Sequence, residues 1–169
     1  MKRVAAALLL AIAACAPSGE VSSTLRDVSV PITSSTRFDA ARFAGDWHLV
    51  AAISPFAVPA GATRFSFDGM ERISVQTLPA EGDTADLDGR PVPYRLSGPG
   101  QMTALGAALP IWVLWVDEDH RTAVIGNPQG SFGQIINRTP ALRADRFRAA
   151  AEVLKFNGYD LRELKAVTP

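Results

Sequence analysis

The spacing of apolar residues along the chain changes near residue 38 and again near residue 139. Between those points, short stretches alternate apolar with polar residues and are broken by Gly, Pro and Asp. Such stretches read as strands, and a series of them describes an all-β barrel or sandwich. The pattern predicts strands at Gly45–Ser54, Thr63–Asp68, Met70–Leu78, Val92–Gly98, Gln101–Leu105, Ile111–Asp117, Thr122–Gly126 and Ser131–Asn137. Phe65 and Phe67 share one face of the second strand, and Ile73 and Val75 one face of the third. The sixth (IWVLWVD) is apolar on both faces, and both faces then need cover.

One helix is expected to give that cover. Thr139 reads as its N-cap, with Pro140 at the first helical position. Leu142, Phe147, Ala150, Ala151 and Leu154 recur at helical spacing, and Asn157-Gly158 is a stop signal. The helix is therefore predicted over 139–157. The tail over 159–167 either adds a short strand or lies along the barrel. Eight strands followed by one helix predict an all-β fold: an eight-stranded antiparallel up-and-down β-barrel with a C-terminal α-helix packed on its outside.

The N-terminal pattern is different. Lys2 and Arg3 precede an apolar run, Val4 to Ile12, and small residues lead to Cys15. This order describes a secretory signal peptide. The run is too short to cross a bilayer, which takes roughly 20 apolar residues. Residues 16–36 are rich in Ser, Thr and Pro and read as a tether that becomes an arm lying on the domain. The expected division is a leader at 1–14, a tether at 15–37 and the barrel with its helix at 38–169.

Charge and chemistry narrow the function. The chain has 17 Lys and Arg against 17 Asp and Glu, which argues against nucleic acid as a partner. Cys15 is the only cysteine, so no intrachain disulfide, thiolate catalyst or cysteine metal site is expected. His48 and His120 are the only histidines and are not spaced as a metal pair. No G-x-S-x-G elbow occurs, and Ser97-Gly98-Pro99-Gly100 does not precede a helix as a phosphate loop would. Binding without enzymatic activity, cofactor or metal is the expectation.

Two resemblances add to this reading. Ile12-Ala13-Ala14-Cys15 resembles the lipobox of bacterial lipoproteins. That resemblance implies cleavage before Cys15, lipidation there and membrane anchoring; the plain alternative is an ordinary signal peptide with an incidental cysteine. Ala16 in place of Asp implies passage to the outer membrane of a Gram-negative envelope, facing the periplasm. Phe43-Ala44-Gly45-Asp46-Trp47, the run Trp115 to Ala123, and Arg138 before Thr139-Pro140 resemble the three lipocalin motifs. The match is to bacterial outer-membrane lipocalins.

In an up-and-down barrel the start of strand one, the six–seven turn and the end of strand eight share one end. Gly45, Trp47, Asp119 and Arg138 are therefore predicted to close that end, with Arg138 over Trp47 and Asp119 fixing the turn. Residue 38 leads straight into strand one, so the tether is expected to join there as well. The mouth then lies at the loops near 54–62, 79–90, 106–110 and 127–130. Phe56 is either a lip over a cavity or packed on its neighbours.

By alternation from Trp47, the expected lining is Leu49, Ala51 and Ile53, with Phe65, Phe67, Val75, Tyr94, Met102, Trp115 and Phe132. A barrel of eight strands either fills itself or holds one small ligand. The resemblance implies a carrier of a fatty acid or lysophospholipid. The short middle strands suit instead a filled barrel that acts in envelope integrity or binds a partner, and Gln134, where relatives carry an aromatic residue, argues against carrying over the relatives' ligand.

Overall fold

The computed structural model describes residues 25–79 and 89–167. The leader and the lipid-attachment candidate Cys15 lie outside the described residues. A single turn of helix, α1 (Ala40–Phe43), precedes eight strands: β1 (Gly45–Ile53), β2 (Gly61–Phe67), β3 (Arg72–Pro79), β4 (Val92–Gly98), β5 (Gln101–Ala104), β6 (Ile111–Val116), β7 (Thr122–Gly126) and β8 (Gly133–Asn137). Helix α2 (Ala144–Phe156) and a short strand, β9 (Lys165–Ala166), complete the chain. Each of β1 to β7 pairs antiparallel with the next, and β8 returns to β1. The sheet is thus a closed eight-stranded barrel with α2 against its outside.

The barrel closes unevenly. At its lower end β1 pairs with β2 from Gly45↔Phe65 to His48↔Ala62. Above His48 the two strands part, and β9 takes the free edge of β1 at Ala51 and Ala52. The tail therefore does add a strand, where β2 peels away.

Two bulges set which residues face inward. The β1–β8 register slips between Leu49 and Ala51, and the β6–β7 register slips between Val113 and Trp115. A bulge inserts one residue and reverses the alternation beyond it. Ala51 and Ile53, predicted inside, therefore sit on the outer face beneath α2. Trp115, also predicted inside, packs outside with Trp112 and Leu114. The sixth strand is covered on both faces as its composition requires, but by a different set of side chains on each.

The helix also begins later than its sequence signal. Asn137 Nδ2 donates to the carbonyls of Thr139 (2.9 Å) and Ala141 (3.1 Å) and to Thr139 Oγ1 (3.0 Å). Those bonds hold 139–141 as a turn leaving β8, so Thr139 cannot cap α2. The helix starts at Ala144, its N-cap Arg143 makes no side-chain cap bond, and Asp145 supplies the negative charge in the first turn. The third strand likewise starts at Arg72, not Met70. Asp68 Oδ1 accepts from the amides of Met70 and Arg72, which makes 68–71 a turn.

The N-terminal arm is packed on the barrel, but its course differs from the expected one. Leu25 N donates to Gly130 O (2.9 Å) on the β7–β8 connection, at the mouth. Further on, Thr33 N donates to Asn157 Oδ1 and Ser35 N to Val113 O. Phe38 then packs on the Phe43 ring at 5.2 Å, at the opposite end. The arm thus runs the length of the barrel, and the tether meets the domain at the mouth. Tyr159 locks this side. Its hydroxyl donates to Phe132 O (2.7 Å) and accepts from Asn127 N (3.1 Å), and burial pushes its pKa up.

Candidate functional site

The lower half of the barrel is solid. Trp47, Phe43, Phe65, Ile73 and Met102 are almost wholly buried there. Phe43 stacks on Trp47 at 4.6 Å and meets Phe65 edge-on at 5.0 Å. Phe67 and Met102, predicted to line a cavity, belong to this packing.

Arg138 closes the end. Its guanidinium carbon lies 3.9 Å from the centre of the Trp47 ring. Its nitrogens donate to the carbonyls of His120 (3.1 Å), Asp46 (3.0 Å), Arg42 (2.8 Å), Phe43 (3.1 Å) and Ala44 (3.0 Å). Gly45 is required here on two counts. Its φ is +106°, and a Cβ would lie 3.0 Å from Arg138 Nη1. Burial lowers the Arg138 pKa somewhat, and the nearby Asp46 opposes that shift.

Asp119 does not fix the adjoining turn in the way its position suggested. It is exposed and pairs with Arg121. Asp117 holds the turn instead, accepting from the amides of Arg121 (2.5 Å) and Thr122 (3.0 Å). It also faces Arg146 of α2 at 3.6 Å. Alternation could not separate the two aspartates, because an Asx turn depends on local backbone geometry.

Above this plug the barrel opens into a cavity of about 300 Å³. Phe65, Val75, Val92, Tyr94, Leu109, Ile111, Ile125 and Phe132 line it, with Thr63, Thr77 and Gln134. A second chamber of about 190 Å³ adjoins it at the seam where β1 and β2 part. Thr63, Thr77 and Gln134 border both chambers, and Leu49, Ala62 and Leu78 belong to the second. Of the predicted lining, Phe65, Val75, Tyr94 and Phe132 therefore meet at the main cavity and Leu49 at the second.

Thr63, Thr77, Val92, Leu109, Ile111, Ile125 and Gln134 were not foreseen. The signal for two of them was present. Thr63 has the parity of Phe65, and Thr77 that of Val75, but their polarity hid it. Phe56 is neither a lid over the cavity nor packed: it is 80% exposed, beside an outer groove that reaches Lys165–Val167.

The lining carries no charged side chain among the described residues. Tyr94 is half committed, its hydroxyl donating to Leu109 O at 3.2 Å, and burial pushes its pKa up. The threonine hydroxyls and the Gln134 amide are neutral hydrogen-bonding groups at the waist between the two chambers. An apolar cavity with a few convergent polar groups can desolvate a hydrocarbon and orient a polar end. Among the described residues, no group of three or more His, Cys, Asp or Glu is placed to hold a metal ion.

Comparison with known proteins agrees with this geometry. The family described as "Lipocalin-like domain" matches residues 101–169. Temperature-induced lipocalin-1 of Arabidopsis thaliana is 34% identical over 53 residues, which is 31% of this chain and 28% of that protein's length. The siderocalin Ex-FABP, described as functioning through dual ligand specificities, superposes with a TM-score of 0.58 at 16% identity. That superposition covers 76% of this chain and 95% of that one. Apocrustacyanin C1 superposes with a TM-score of 0.56 at 16% identity, over 75% of this chain and 77% of its own. The sequence match falls on β5 to the C-terminus, whereas the structural likeness extends over most of the domain. The chain has a lipocalin-like fold: a closed eight-stranded antiparallel barrel with one helix packed against it.

Proposed function

We propose that this chain is a lipocalin that carries the apolar chain of a single-chain lipid, a fatty acid or lysophospholipid. It does so from a membrane anchor in the envelope of a Gram-negative bacterium. The observation that carries this reading is the cavity of about 300 Å³ above the Trp47 plug. Its size is at the lower end of small-molecule sites, which begin near 300 Å³. Each methylene buried there contributes about 0.8 kcal/mol before entropic costs. An acyl chain therefore has a favourable place, and its head group remains at the waist or outside.

Titration of the delipidated protein with a fluorescent fatty acid should give saturable uptake. Absence of saturation would remove the carrier reading. The solid lower half supports a second reading, a barrel with no physiological ligand whose role is to bind a partner. Native mass spectrometry separates the two: a co-purified lipid belongs to the first only.

Anchoring rests on Cys15 and the leader before it. A single acyl chain binds membranes only marginally, whereas several hold firmly. Cys15→Ser should abolish incorporation of a labelled fatty acid into the protein by the exporting cell without changing its circular dichroism. Incorporation that persists in the variant would refute lipidation at Cys15.

A further inference from the structure

We infer that the open mouth of the barrel is a docking face for an uncharged or zwitterionic lipid surface. Four of the large apolar side chains left exposed stand around this one opening. Phe56 (80% exposed) is on the β1–β2 connection, Val92 (36%) starts β4, and Leu105 (43%) and Leu109 (49%) flank the β5–β6 connection. Large apolar side chains left exposed at one end of a barrel whose other turns are charged are of the kind that marks an interaction site.

Charge points to the kind of partner. The mouth connections over 54–60, 105–110 and 127–132 contain no Asp, Glu, Lys or Arg. The turns at the closed end carry Asp68, Glu71, Asp117, Glu118, Asp119 and Arg121. A rim whose fully described connections supply no Lys or Arg, apart from Lys165 on the groove beside Phe56, gains little from an anionic surface and suits a phosphatidylcholine-like one.

The arm gives a second, independent reason. Leu25 is hydrogen-bonded to Gly130, and the buried Arg26 guanidinium donates to Pro128 O at 2.8 Å. The chain thus joins the barrel at the mouth and not at the plug. Cys15 precedes Leu25 by ten positions, a span of at most about 36 Å. A membrane attachment at Cys15 holds the mouth, and not the plug, towards the bilayer. A cavity that opens within the docking face can take a lipid without exposing its chain to water. This last step rests on the carrier reading; the docking itself does not.

The test is made on the full chain with Cys15→Ser, expressed without export. Residues 1–14 then stay attached on the mouth side, so a shift at 56 counts for the docking face only where Leu109→Asp removes it. An environment-sensitive dye is coupled to Phe56→Cys or, separately, to Met70→Cys at the closed end, where Met70 is 81% exposed. On phosphatidylcholine vesicles without added ligand, the dye at 56 should shift to the blue and the dye at 70 should not. Adding Leu109→Asp should abolish the shift at 56. Equal shifts at both positions, no shift at 56, or a shift that survives Leu109→Asp would overturn the proposal. An equal or larger shift on phosphatidylglycerol vesicles would overturn the assignment to a neutral surface. No outcome depends on fatty acid uptake or on lipidation, so failure here leaves those readings to their own tests.

Discussion

Arg138→Ala should lower the stability of the barrel by about 2–4 kcal/mol in a urea titration at neutral pH. The figure lies below the 3–5 kcal/mol lost on breaking a fully buried pair, because this guanidinium is only partly buried. Five carbonyls, those of Arg42, Phe43, Ala44, Asp46 and His120, lose a charged donor together. They belong to α1, to the start of β1 and to the β6–β7 turn, so one side chain ties together segments far apart in sequence. The indole of Trp47 also loses its cation, a contact worth about 0.5–2 kcal/mol. For a domain of this size the loss corresponds to a fall in Tm of about 10 °C.

Arg138→Lys should recover less than half of the loss. One ammonium cannot present the planar fork that reaches several carbonyls while stacking on a ring. A change below about 0.5 kcal/mol in the alanine variant would show that solvent replaces these bonds at no cost. Fatty acid uptake by the residual folded population should be unaffected, since the cavity is walled from Arg138 by the packed Trp47, Phe43 and Phe65.

The closed end was legible in the sequence because its residues are distinctive and its geometry follows from topology alone. Trp47 and Arg138 are 91 positions apart, 138 − 47, yet an up-and-down order puts them at one pole. The inner face was legible only as far as strict alternation held. Leu49 was placed correctly, whereas Ala51 and Ile53 on the same strand were not, because the register slips at Val50. Trp115 failed for the same reason at Leu114. No residue in Leu49-Val50-Ala51 or Leu114-Trp115 announces a bulge. Bulges come from how a strand is pulled across its neighbours and lie outside local pattern.

The misplaced tether has another cause. Contiguity with β1 pointed to the closed end, and the last residues before the strand do lie there, with Phe38 against Phe43. What contiguity could not show is that residues 25–38 run back along the outer wall to the mouth. Their partners, Gly130, Asn157 and Gly158, are polar or backbone groups at the ends of other elements. Alternation and helical periodicity do not report such contacts. The C-terminal helix was foreseen from its apolar stripe, but its start was misread. Thr139 is an effective N-cap residue only if its neighbours are free, and Asn137 has already bound them.

Arg26→Ala should cost about 3–5 kcal/mol, the largest single loss among arm residues, although nothing in the sequence singles this arginine out. Arg26 is 4% exposed. Its Nε donates to Asn157 O (2.9 Å), its Nη1 to Pro128 O (2.8 Å) and its Nη2 to Val30 O. Those acceptors are the C-cap of α2, the β7–β8 connection and the arm itself, so Arg26 is the point at which all three meet. A cation at a helix C-terminus is also favoured by the helix dipole. The alanine variant leaves three carbonyls without their donor, that of Asn157 in a buried bond and those of Pro128 and Val30 in partly buried ones, at about 1–3 kcal/mol for each buried group left unpaired. It also opens a gap where Gly130 now packs, because the Arg26 side chain would lie 2.3 Å from a Cβ at that glycine. Hydrogen exchange should report the loss locally as well as globally. The amides of Leu25, Asp27 and Val30, now bonded to Gly130, Gly158 and Asp27, should lose protection before the barrel strands do. If those amides stay protected and the stability falls by less than about 1 kcal/mol, the arm is held by Leu25, Ile32 and Phe38 alone, and Arg26 is a passenger in its pocket.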